Sequence, residues 1–217
     1  MKIRLGTSAL LLVITATILC SCSDDDVVVP PDDSKPIVEP PTEDMVIQNF
    51  RVAYEDMDFV ALQNLLHPDF VTFLQEQTIA QFPDVGRTLD RDQEIRIAQR
   101  MFSGQPVTDP DGKLIAAISS VEFQILEQQG VWTDTGPNGV IPNARAALFD
   151  VLFIFDRPGD STLPAQGQIR FFVSGRDSLV NGVTRTYYTM IGQQDLTNTG
   201  QKGVEEAAWG SIKALYR

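Results

Sequence analysis

Residues 58–74 read Asp58-Phe59-Val60-Ala61-Leu62-Gln63-Asn64-Leu65-Leu66-His67-Pro68-Asp69-Phe70-Val71-Thr72-Phe73-Leu74. Asp58 is placed to cap a short helix whose Phe59, Leu62, Leu65 and Leu66 turn inward. Pro68 ends that helix, because the residue before a proline is driven out of the right-handed helical region. Phe70 to Leu74 then continues as a short, apolar, strand-like run.

Upstream, Thr42 has the chemistry of an N-cap, with Glu43 and Asp44 in the first turn, where the helix dipole favours anions. Val46, Phe50, Ala53, Tyr54 and Met57 follow at helical spacing and define one apolar face. Downstream, Asp90 with Gln93 three residues later has the form of a capping box. Ile95, Ala98, Met101 and Phe102 form the apolar face of the helix it opens. Residues 76–89 carry no period that decides among a lid, a further helix and a loop.

Beyond a turn-rich loop from Ser103 to Lys113 the apolar period changes from 3.6 to 2. Val121, Phe123 and Ile125 alternate with polar residues, Ala146 to Phe155 is apolar on both faces as a central strand would be, and Ile169, Phe171 and Val173 alternate again. Tyr187, Thr189 and Ile191 form a fourth run, and Asn181-Gly182 before it is a strong hairpin turn. Ala208, Ile212, Leu215 and Tyr216, with Trp209 beside them, close the chain as a helix. Helices followed by an antiparallel meander predict an α+β domain over residues 43–217, with a curved antiparallel sheet wrapped around the N-terminal helices and a C-terminal helix added.

This order of elements, together with Leu65-Leu66-His67-Pro68-Asp69-Phe70, resembles the nuclear transport factor 2-like superfamily, which includes the SnoaL-like proteins. The resemblance spans about residues 43–195, and the segment around Trp209 to Tyr216 resembles the tail of exported lipoproteins built on the same cystatin-like cone. It implies a cone with a pocket at its open end and a tendency to dimerise through the sheet. Members are isomerases, dehydratases and cyclases, and also non-catalytic binding and assembly domains, so the fold does not choose a function.

Few residues offer themselves for chemistry. His67 is the only histidine; just before a proline at a helix end, it has a structural role as its first reading, bonding a carbonyl or favouring the C-terminal dipole. Asp150 interrupts an apolar strand, where a carboxylate is costly unless paired. It is a pocket base with a raised pKa, a structural group with Arg170 as a partner if the hairpin closes near residue 161, or a residue on a strand face that is partly wet. Tyr54, Trp132 and Tyr187, with Tyr188, are the aromatic residues that could line a pocket, although aromatic residues in strands more often pack in the core. Asp134-Thr135-Gly136 has the letters of an aspartic-protease motif without a second copy, and Asp109-Pro110-Asp111-Gly112 begins like a calcium loop but lacks the closing glutamate. No glycine-rich phosphate loop exists, and one histidine with no cysteine in the domain argues against zinc. No cofactor or metal is expected.

The N-terminus supplies an address. Lys2 and Arg4 precede an uncharged, mostly apolar stretch from Leu5 to Leu19, too short to span a bilayer and suited to a signal peptide. Leu19-Cys20-Ser21-Cys22 resembles the bacterial lipobox. Cys22, with Ser21 before it and Leu19 at −3, is the expected lipidated residue, whereas Cys20 would place branched Leu19 at the cleavage position. Residues 1–21 then form the signal peptide, and residues 22–42 a lipidated cysteine with an acidic, proline-rich tether. Extended chain of that kind rises ~3.1 Å per residue, so the tether reaches roughly 60 Å. Loss of Lys2 and Arg4 takes the formal charge from −12 to −14, which argues against nucleic-acid partners and against a polybasic membrane contact. The expected location is the bacterial cell envelope, with membrane attachment through the lipid alone. The expected function is non-catalytic: binding of a small apolar ligand or an envelope protein, with homodimerisation implied by the resemblance. The alternative is a pocket enzyme of isomerase or dehydratase type, with Asp150 as base and His67 assisting.

Overall fold

Helix α1 (Glu43–Glu55) begins where Thr42 accepts the Met45 N–H at 3.3 Å. It ends in a Schellman closure, in which Met57 donates to Tyr54 O and Asp58 to Ala53 O. Met57 takes the left-handed position there at φ 49°, which is why the apolar period runs past the last helical residue. Asp58 then caps α2 (Phe59–Leu65), its Oδ1 accepting the Ala61 N–H at 2.9 Å. The computed structural model describes residues 39–109, 112–160, 162–196 and 208–217. By contact the chain divides into two units, Met1–Asp32 and Asp33–Arg217. The first lies outside the described residues, and with it the expected signal peptide, Cys22 and much of the tether. The core described below belongs wholly to the second.

Strand β1 (Leu66–Phe73) follows α2 without a loop. Residues 76–89, which the sequence leaves open, form α3 (Glu76–Gln81), a single 3-10 turn (Pro83–Val85) and the start of β2 (Thr88–Asp90). Helix α4 (Arg91–Phe102) carries the full capping box between Asp90 and Gln93. The remaining strands are β3 (Val107–Thr108), β4 (Leu114–Ile115), β5 (Ser120–Asp134), β6 (Arg145–Asp156), β7 (Leu163–Val180) and β8 (Val183–Asp195), before helix α5 (Trp209–Leu215). Asn181 and Gly182 are the two-residue turn between β7 and β8, both at positive φ (52° and 78°) as a twisted hairpin requires.

The main sheet has six strands in the order β2-β1-β8-β7-β6-β5, and β3 and β4 pair separately. Antiparallel pairing holds everywhere except between β1 and β8, which run parallel; the sheet is therefore mixed rather than wholly antiparallel. Pro68 explains the irregularity of that joint. Leu66 faces Met190 and Val71 faces Gly192, so residues 67–70 bulge out of register around a proline that has no N–H for the ladder.

The sheet has two unlike faces. On β6, Ala147, Phe149, Val151, Phe153 and Phe155 are buried on the inner face. There Phe50 of α1 meets Phe123 of β5 at 5.9 Å and Phe171 of β7 at 5.2 Å between ring centroids. One helix touching strands on both sides of β6 requires a sheet that curves around it. The outer face carries a small apolar cluster of its own, Ile141, Ala144, Ala146 and Phe172.

Candidate functional site

The resemblance implies a pocket at the open end of the cone; among the described residues, α5 packs into the interior of the curved sheet. Every residue from Trp209 to Ala214 is buried. Trp209 stacks on Phe155 (centroids 5.8 Å apart, 18° between planes) and meets Phe153 and Tyr54 edge-on at 5.2 and 5.3 Å. The helix is apolar nearly all round, so it must be enclosed rather than laid on a surface.

Within this aromatic interior lies a polar cluster. The Lys213 ammonium, fully buried, is ion-paired to Glu94 Oε1, itself 2% exposed. Lys213 also sits 4.6 Å from the centre of the Trp209 ring, an additional cation–π contact. Glu94 Oε2 accepts from Thr72 Oγ1 at 3.0 Å, and its Oε1 accepts from Gln193 Nε2 at 3.2 Å. Gln193 in turn donates to Thr72 Oγ1 at 2.9 Å and accepts from Trp209 Nε1 at 3.3 Å. Asp195 Oδ2 accepts the Gly210 N–H at 2.8 Å, and Thr78 and Ser211 share a hydroxyl contact at 3.1 Å. These bonds run from β1, α3, α4 and β8 to α5, so the network fixes the terminal helix in the cone.

Titration follows the same geometry. Burial pushes the Lys213 ammonium down from its ordinary value, opposed by the negative charges of Glu94 and Asp195. Burial pushes the Tyr54 phenol well above its ordinary value, and Glu94 adds to that rise. Tyr216, whose hydroxyl donates to Ala116 O at 2.6 Å, is also raised by burial.

The residues singled out from the sequence lie elsewhere. Asp150 is on the outer face of β6, its Oδ1 accepting from Gln168 Nε2 at 2.8 Å. The anticipated pairing with Arg170 is displaced by two residues: Arg170 stands opposite Leu148 and Gln168 opposite Asp150, because β6 and β7 meet in the register Phe155↔Leu163. His67 directly follows Leu66, the C-cap of α2, at the start of the β1 bulge, and its Nδ1 accepts the Asp69 N–H at 3.1 Å. Asp150 and His67 are thus not brought together. Tyr54 is a core residue, 1% exposed, ringed by Phe50, Phe102, Phe123 and Trp209. Trp132 is half-buried against Phe149 and donates to Asp44 Oδ1 at 2.7 Å. Tyr187 is half-buried on the β7–β8 hairpin opposite Arg176. The three aromatics stand in three places.

The motif fragments dismissed from the sequence have local work. Asp109 Oδ1 accepts the Lys113 N–H at 2.8 Å in the turn between β3 and β4. Thr135 Oγ1 donates to Ile141 O at 2.6 Å and accepts the Ala144 N–H at 3.1 Å, closing the loop between β5 and β6.

Sequence reasoning missed Glu94 and Lys213, although both left a signal. Glu94 heads the set 94, 97, 98 and 101, whose other members Ile97, Ala98 and Met101 are the buried face of α4. Lys213 is the only charged residue from Ala208 to Tyr216. A single charge within an apolar helical set is the mark of a buried partnered ion.

The class defined by this architecture is an α+β domain with helices held inside a curved six-stranded sheet, in agreement with the resemblance carried by residues 65–70. In fold the chain is similar to a candidate aromatic ring hydroxylase from Novosphingobium aromaticivorans (11% identity, 69% of this chain and 81% of that one, TM-score 0.42). It is also similar to a conserved protein from Planctomyces limnophilus (11% identity, 70% and 90%, TM-score 0.41). A third similar structure is an NTF2-like protein of unknown function in nutrient uptake from Rhodospirillum rubrum (11% identity, 70% and 93%, TM-score 0.37). No family model matches the chain, and no curated protein does. At such identities no residue's role is transferred.

Proposed function

We propose that this chain is a non-catalytic binding or interaction module of the bacterial cell envelope, exported and tethered through a lipid on Cys22. The observation that supports it best is the filled interior. Trp209 and the Glu94–Lys213 pair occupy the space in which a cone-type enzyme would hold substrate. Of the two carboxylates within that space, Glu94 already accepts from Thr72, Gln193 and Lys213, and Asp195 accepts the Gly210 N–H. Asp150, the base of the isomerase or dehydratase reading, is outside the cone on a sheet face. Binding therefore falls to the exterior, presented away from the membrane by the tether.

Two measurements test the reading. Metabolic labelling with a radioactive fatty acid should mark the chain, and Cys22→Ser should abolish both the label and partition into detergent; a soluble, unlabelled wild type would overturn the anchor. Native mass spectrometry of residues 33–217, the compact second unit, should give the bare polypeptide mass. A small molecule retained through purification and lost only on denaturation would overturn the filled interior and reopen the enzyme reading.

A further inference from the structure

The outer face of the sheet carries a groove of about 410 Å³, on the floor formed by β5, β6 and β7 beneath the loop that Thr135 closes. Its volume is within the range of small-molecule sites, roughly 300–1,000 Å³. Two of its walls are Val131 and Val140, large apolar side chains left 76% and 51% exposed. Leu148 adds a third apolar surface, and Gln129 and Thr133 bring polar groups to one side.

Among the described residues, Arg170 is the only charged one lining this groove. Among the described residues its guanidinium makes one hydrogen bond, from Nη1 to Gln194 Oε1 at 3.3 Å, and no carboxylate pairs with it. Half-buried Arg91 and Arg100 also lack a carboxylate, but each makes two bonds to backbone carbonyls, so among these three Arg170 has the most hydrogen-bonding capacity left open. The fork of a guanidinium matches a carboxylate in geometry and charge, and exposed valines gain by covering their methyl groups.

The geometry points to a ligand site on the outer face of the sheet for a small aliphatic carboxylate, its carboxyl group held by Arg170 and its hydrocarbon portion lying against Val131, Val140 and Leu148. This deepens the binding-module reading and rests on it only in placing recognition outside the cone. The site requires no chemical step.

The test is a titration of residues 33–217 with octanoate, followed by NMR at the Arg170 side-chain N–H and the Val131 and Val140 methyls. The expected result is saturable shifts at all three, at least about tenfold weaker affinity for octanol, which lacks the charge, and a similar loss in Arg170→Gln. Arg170 makes one neutral hydrogen bond in the fold, so Arg170→Gln remains folded; Val140→Ser, on the exposed loop, is a second variant that should weaken binding without touching the charge. Equal binding of octanoate and octanol, or no saturable shift, would overturn the carboxylate site. Shifts at the same methyls that follow protein concentration without ligand would assign the face to a second copy of this chain and equally overturn it. None of these negative outcomes bears on the non-catalytic reading, which fails instead on a molecule retained inside the cone.

Discussion

Lys213, the only charged residue of α5, forms an ion pair with Glu94 of α4, and neither side chain is more than 2% exposed. The two partners are not equally dependent on each other. Glu94 also accepts from Thr72 and Gln193, whereas the Lys213 ammonium donates to Glu94 and has the Trp209 ring and the charge of Asp195 beside it.

That asymmetry orders a set of variants. Breaking a buried pair by removing one partner costs about 3–5 kcal/mol, because a buried charge is left uncompensated. Glu94→Leu should reach that range, since it removes the ion-pair partner of Lys213 and takes from Thr72 and Gln193 the carboxylate they donate to. Lys213→Met should cost less, since the carboxylate retains two donors. The double replacement should cost less than the sum of the singles. Urea unfolding of the four proteins measures the cycle, and equal single costs with no coupling would show that the pair does not hold α5.

Gly210 offers a test in which local and tertiary effects have opposite signs. Alanine is favoured over glycine inside a helix by about 1 kcal/mol. A Cβ at Gly210 would, however, lie 2.9 Å from Leu74 Cδ2 and 3.1 Å from Asp195 Oδ2, the oxygen that accepts the Gly210 N–H. Overpacking of this kind costs about 1–3 kcal/mol. Gly210→Ala should therefore lower the melting temperature, and an increase would mean that the Leu74 and Asp195 side chains give way to the added methyl group.

Much of the fold was legible because its signals are local. Asp58, Asp90 with Gln93, and Asn181-Gly182 act within three or four residues, and each does in the structure what its chemistry predicts. What was illegible depends on register and on long-range contact. Two residues of register decide whether Asp150 meets Arg170 or Gln168, and no local pattern sets that count. The parallel joint of β1 with β8 unites segments more than a hundred residues apart. Likewise, each helix marks its own lone charge, but that Glu94 of α4 and Lys213 of α5 meet each other is a long-range contact that no local pattern sets.

Alkaline titration should expose the buried groups with a sign that can be worked out. The raised Tyr54 and Tyr216 phenols keep their protons in the folded state, while the unfolded chain begins to lose them near pH 10. Their stabilising contribution is therefore complete below that pH and is lost as pH rises beyond it. Lys213 acts in the opposite sense: its lowered pKa means that stability is gained as pH rises toward about 10.5, the unfolded value. Wild type should lose stability above about pH 10. Tyr54→Phe should flatten that decline and Lys213→Met should steepen it, as read from urea midpoints at successive pH values.

Asp150 faces Glu127 directly across β5 and β6, and both are carboxylates. Like charges at opposed positions destabilise a sheet by roughly 0.2–1 kcal/mol. Asp150→Asn removes that repulsion, yet the amide oxygen can still accept from Gln168 Nε2, which now lies 2.8 Å from Asp150 Oδ1. The variant should therefore be as stable as wild type or slightly more so, a result that thermal unfolding would resolve. It should also gain less at high salt than at low salt, because screening already weakens the repulsion that the substitution removes. A carboxylate retained as a catalytic base would instead sit among groups arranged to hold its charge or its proton. A marked loss of stability in Asp150→Asn would show that the charge of Asp150 is held by a structural partner.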